Sequence, residues 1–188
     1  MNESRRAWSG WAAVVIAAVG LVGLTAAPPA AASAHALQTV RALAGRPTRA
    51  AMTRETARTV EVGDTSEHFV PSGRSVTTKD GPLALTAVVG QRFPTADGYG
   101  QLVFFWRGRT FLGWDSIYES VSIVRVARWG AHTIRVTYAH YASGDAAYDP
   151  SLKPVSVDYR WRGGRLVASR TPPSLSFLDQ SVEFEPAG

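Results

Sequence analysis

Gly98–Ser169 reads GYGQLVFFWRGRTFLGWDSIYESVSIVRVARWGAHTIRVTYAHYASGDAAYDPSLKPVSVDYRWRGGRLVAS, and this stretch decides the fold. Apolar and polar residues alternate along it, and glycine pairs or single glycines break it at short intervals. Arg162-Gly163-Gly164-Arg165 has glycine at both central positions, as a type I′ hairpin turn requires. Trp129-Gly130-Ala131-His132 has glycine at the first central position, which suits type II′. Trp106-Arg107-Gly108-Arg109 is a third turn of the same kind.

These turns set an expected register. A two-residue loop at Gly130-Ala131 pairs Trp129 with His132, Ala127 with Ile134, Arg125 with Val136 and Ile123 with Tyr138. Arg125 then points to the apolar face, where its stem packs and its head snorkels, or where it meets an anion. In the next hairpin Val155, Val157, Tyr159 and Trp161 alternate with Ser156, Asp158, Arg160 and Arg162. Trp161 falls opposite Leu166, and Tyr159 opposite Ala168. One face is apolar and aromatic and the other is charged, as in an antiparallel sheet wet on one side. Leu102–Trp106 is continuously apolar, so it reads as a strand buried on both faces. The fold class is mainly β: an antiparallel meander of about six strands. One helix packed on it, from Gly81 to Gly90, is expected from Asp80 as N-cap and Pro82 in the first turn.

Outside this stretch the chain divides by composition. Residues 1–34 have Arg5 and Arg6, an uncharged apolar run from Trp11 to Leu24, and Ala32-Ser33-Ala34 before His35, the pattern of a secretory signal peptide. An uncleaved segment would be an N-terminal anchor. Ser4-Arg5-Arg6-Ala7-Trp8 also fits twin-arginine export. Residues 35–60 form a basic flexible leader, in which Leu37, Val40 and Leu43 share one stripe of a short helix. Residues 61–172 are the β-rich globular domain, irregular up to about residue 82 except for a short strand at His68–Val70. Residues 173–188 are a Pro-rich and acidic tail.

The formal net charge is +5 and is unevenly spread. The leader carries five Arg and one Glu, whereas from Glu61 onward 13 basic residues face 13 acidic ones. That balance argues against nucleic-acid binding by the folded domain, which wants a basic face. Weak association of the leader with membrane or wall polymer is the alternative to a solvated tether. There is no Cys. The chain therefore has no disulfide framework, thiol nucleophile or acylated cysteine of its own.

No catalytic constellation stands out. His132 and His140 lie roughly 27 Å apart at ~3.4 Å per residue, too far to share a metal. No metal site and no cofactor are expected. Asp115, His140, Asp145 and Asp158 are the groups that would have to converge in an enzyme. The candidate ligand-binding residues are Arg125, Trp114, Tyr138 and His140, taken from the aromatic-rich meander and its one inward arginine.

Leu102–Gly113, an apolar strand followed by a short turn and Leu112-Gly113, resembles the LppP/LprE lipoprotein family of actinobacteria. So do Ile134–Tyr138, Ser143-Gly144-Asp145, Pro154–Trp161 and Gly163–Val167. The resemblance covers roughly Leu83 to Pro172. It implies an exported cell-envelope protein and carries no catalytic residues over. Two departures matter. The family has a lipobox cysteine and cysteines in the loop after Gly-Asp, where this chain reads Ala146-Ala147-Tyr148-Asp149-Pro150. The expected function is an exported, envelope-associated or secreted binding or structural domain, its partner an envelope component or small ligand. The rivals are an extracellular or wall-acting enzyme and a carrier of an apolar ligand.

Overall fold

Leu102–Trp106 is buried on both faces, as its unbroken apolar run requires, and the rest of the fold is arranged around that strand. The structure, a computed structural model, describes residues 44–62, 64–95, 99–173 and 184–186. The N-terminal apolar run, the Leu37/Val40/Leu43 stripe and most of the C-terminal tail lie outside the described residues.

The described chain opens with helix α1 (Arg49–Ala57), followed by β1 (Thr59–Glu61), β2 (Asp64–Thr77), β3 (Leu85–Phe93), β4 (Gln101–Arg107) and β5 (Thr110–Trp114). A second set comprises β6 (Ile123–Arg128), β7 (Thr133–His140), β8 (Leu152–Arg162) and β9 (Arg165–Ala168), and β10 (Phe184–Pro186) closes the series. All pairings are antiparallel. The strands form two sheets, ordered β10-β1-β2-β3-β4-β5 and β6-β7-β8-β9. The mainly-β class holds, but the single meander of about six strands is corrected to two sheets that share a core.

Alternation along β4 builds that core. Val103 and Phe105 face the second sheet and pack with Leu85, Ala87 and Val89 of β3 and with Ile134, Val136, Tyr138, Val157 and Tyr159 across the gap. Leu102, Phe104 and Trp106 face the other way, onto Phe69, Val88, Phe111, Trp114 and Met52 of α1. Fully burying each such side chain is worth about 1.5–3 kcal/mol, so a strand with five of them anchors both layers. Gly90 lets β3 pass over the Phe104 ring, because a Cβ there would sit 2.5 Å from Cε2.

Four local expectations are revised. The helix expected over Gly81–Gly90 is a single 3-10 turn at Gly81–Leu83, followed by strand β3. Asp80 and Pro82 do start a turn. Burial between β2 and β4 and the β-branched Thr86, Val88 and Val89 then favour extended chain. Residues 64–77, expected to be mostly irregular, are one long strand, bulged between Pro71 and Ser75, where proline is tolerated. The end of the leader is ordered: Thr48 Oγ1 accepts the Ala51 N–H at 3.1 Å and caps α1.

The fourth revision concerns the β6–β7 hairpin. Ile123 does lie opposite Tyr138, but Val126 faces Val136 and Arg125 faces Thr137. The register shifts between Ile123 and Arg125, so Val124 is an extra residue. The bulge turns Arg125 outward and packs Val126 against the core. The β8–β9 hairpin matches its expected register, with Trp161 opposite Leu166 and Tyr159 opposite Ala168. Gly163 and Gly164 both have positive φ, at 55° and 79°, as type I′ geometry needs.

Candidate functional site

The four sequence candidates fall in different places. Trp114 ends β5 on the side away from the second sheet, stacked near Phe111 and tilted on Phe104. Tyr138 lies between the sheets and is fully buried. His140 is two residues farther along β7, half-buried and opposite Leu152. Arg125 is exposed on the outer side of the second sheet. Tyr138 and His140 share a strand; Trp114 and Arg125 lie on opposite outer sides of the molecule.

What the structure does assemble is a polar chain inside the apolar core. Asp115 follows β5 and extends its pairing with β4, its N–H donating to the Val103 carbonyl at 3.0 Å. Its carboxylate Oδ1 accepts the Val103 N–H at 2.8 Å. Its Oδ2 accepts the Tyr138 hydroxyl at 2.7 Å. Tyr138 and Tyr159 hydroxyls lie 2.8 Å apart. With the Tyr138 proton committed to Asp115, Tyr159 is the donor of that bond. The chain therefore runs Tyr159 to Tyr138 to Asp115 and ends on the charge.

Burial pushes the Asp115 carboxyl up to about 6, against the opposing pull of the Tyr138 and Val103 hydrogen bonds. Burial also raises Tyr138 well above the usual phenol range, and raises Tyr159 too. A carboxyl near 6 is the type of group active sites use. Here both oxygens are engaged by the protein's own donors. The ring beside it, Tyr159, packs on Phe105 at 4.7 Å. The arrangement can hold a proton and tie two sheets together.

The other acidic candidates are also occupied, and elsewhere. Asp145 Oδ2 accepts the Ala142 N–H, the Ser151 N–H and the Ser151 hydroxyl at 2.7–2.9 Å, closing the β7–β8 loop on itself. Those bonds hold its carboxyl below the usual range. Asp158 takes a two-pronged bond from Arg135, at 2.6 and 2.9 Å, which lowers its carboxyl likewise. Asp158 alternates with the buried Val157 and Tyr159, so it faces away from Asp115. The His132 ring bonds the Asp80 carboxylate and fastens the β6–β7 turn to the 3-10 turn. Among the described residues no group of three His, Cys, Asp or Glu side chains is placed to hold a metal.

Two features escaped the sequence. Arg92 lies between Glu67 at 2.8 Å and Glu119 at 3.2 Å, in a nearly enclosed charge cluster built against Gly100. Its members are far apart in sequence, and only strand pairing unites them. The second feature is a segregation of charge. The strands of the second sheet carry seven basic residues and one acidic residue, Asp158; those of the first carry three and four. The even balance past Glu61 thus conceals a basic sheet, in which Arg125, Arg135, Arg160, Arg162 and Arg165 lie on the side away from the core.

No helix among the described residues is long and apolar enough to cross a membrane. Comparison with curated proteins found no match, and comparison with solved structures found none. A family model described as LppP/LprE lipoprotein matches residues 77–164. The matched segment runs from the end of β2 to the Gly163-Gly164 turn and contains Asp115, Tyr138 and Tyr159. This match, over just under half of the chain, supports the resemblance to the LppP/LprE lipoprotein family read from the sequence.

Proposed function

We propose that this chain is an exported, envelope-associated domain that binds a partner or ligand without catalysing a reaction on it. The match to a lipoprotein family's model supports an extracytoplasmic or membrane-associated location. The family match is the observation that carries the reading. The site chemistry supports it: Asp115, Asp145 and Asp158, three groups a catalytic reading would need, are each engaged in separate structural bonds. The signal-peptide pattern of residues 1–34 supports export, and the missing lipobox cysteine leaves the mode of attachment to other parts of the sequence.

The test is the intact mass of the protein recovered separately from culture medium, membrane and cytosol. A soluble species beginning at His35, or a full-length species confined to membranes, agrees with the proposal. Full-length protein found in the cytosol alone would overturn it.

A further inference from the structure

We propose that the outward face of β6–β9 is a docking surface for an anionic phospholipid bilayer. The inference rests on the envelope reading above and names the partner for one surface of the domain.

Register places the charges. Arg125 lies opposite Thr137, Thr133 opposite Arg160, Arg160 opposite Val167, and Arg162 opposite Arg165, all on the side away from the core. Arg125, Arg160, Arg162 and Arg165 are exposed. The acidic group on this face, Asp158, is taken up by Arg135. Arg160 also lies 3.9 Å from the Asp158 carboxylate, and four strands at ~4.8 Å spacing spread the exposed guanidinium groups over roughly 14 Å. That is a broad array suited to a surface of many phosphates rather than to one small anion. Guanidinium forks match phosphate oxygens in pairs.

Apolar side chains at the rim of the same face favour lipid. Trp129, at the end of β6, is 53 % exposed, and its ring lies 3.6 Å from the Arg135 guanidinium, which fixes it on the outward side. Val124, the bulge residue of the edge strand, is 54 % exposed. Tryptophan beside basic residues is the composition that settles at the headgroup level of a membrane. Single-stranded nucleic acid would want several free aromatic rings to stack on. Among the described residues, the exposed aromatic ring on this face, Trp129, is already covered by a guanidinium.

The experiment uses the full chain and sedimentation with vesicles of phosphatidylcholine alone or mixed with phosphatidylglycerol. Any contribution of the N-terminal apolar run is common to both vesicles and all variants. Each arginine at an anionic surface is worth roughly a fivefold change in partition. Arg125→Glu/Arg160→Glu/Arg165→Glu should therefore lower partition onto the mixed vesicles by on the order of 100-fold or more. The control Arg46→Glu/Arg49→Glu/Arg109→Glu, with the same charge change at exposed positions off this face, should retain most of it. Added salt should weaken the binding.

Equal losses in the two triple variants, no preference for phosphatidylglycerol, or tighter capture by single-stranded RNA would each overturn the proposal. If circular dichroism shows the face variant unfolded, single Arg125→Gln and Arg165→Gln variants replace it, each with roughly a fivefold loss expected. Failure here leaves the cell-fraction result untouched, so the two readings fail separately.

Discussion

The Tyr138 hydroxyl donates to Asp115 at 2.7 Å, joining the second sheet to the end of β5 in the first. A carboxylate enclosed between sheets is costly when charged, and its proton is correspondingly held.

The first prediction follows from that proton. Asp115 titrates at about 6 in the folded protein, against 3.8 for an ordinary aspartate. The folded state binds the proton more tightly, so this contribution is full below the ordinary value and is lost as pH rises through about 6. The loss is roughly 3 kcal/mol over that window. Asp115→Asn removes the titration while its amide can still meet Val103 and Tyr138. Urea denaturation at several pH values should show that the variant lacks this downward step.

Tyr138→Phe should leave Asp115 Oδ2 and the Tyr159 hydroxyl without their shared partner. The expected cost at neutral pH is about 1–3 kcal/mol. The Asp115 carboxyl should move further up, because the lost hydrogen bond was lowering it. Carboxyl NMR titration checks the second effect independently of the first.

Gly90→Ala drives a methyl into the Phe104 ring. Both flanking strands are buried, so the ring cannot withdraw to solvent, and a loss of about 1–3 kcal/mol is expected. Thermal melting of the variant against wild type tests this. An unchanged midpoint would mean the β3–β4 crossing is looser than the structure shows.

Arg135→Ala should raise the Asp158 carboxyl, whose main lowering influence is the Arg135 hydrogen bond. A depressed carboxyl stabilises above its unfolded value, and that contribution is lost as pH falls through the folded one. The variant should therefore show a flatter acid limb in denaturation against pH.

The β8–β9 hairpin was readable because its turn is local: two glycines fix the loop, and alternation fixes the rest. The β6–β7 register was not, although Arg125 on an apolar face was its visible symptom. A one-residue bulge at Val124 resolves that conflict, and bulges have no reliable sequence mark. Leu85–Phe93 misled because capping signals are local, whereas burial between two strands is not. The division into two sheets depends on long-range pairings, such as Phe69 with Arg92 and Ile134 with Tyr159, that no local signal announces. At the site, Tyr138 was correctly singled out from the sequence. Its partner Asp115 was noticed as a carboxylate, but nothing in the spacing placed the two together.

Arg74, in the β2 bulge, donates to the Ile123 carbonyl at 2.6 Å and to Gln101 Oε1 at 2.9 Å, and that oxygen also accepts the Ile123 N–H at 2.7 Å. Together with the Asp115–Tyr138 and His132–Asp80 bonds, these contacts fasten the two sheets by hydrogen bonding, in a chain without a thiol to oxidise. The fold is consequently indifferent to redox potential: reductant should leave its melting unchanged, and it can be assembled on either side of a membrane with the same joints.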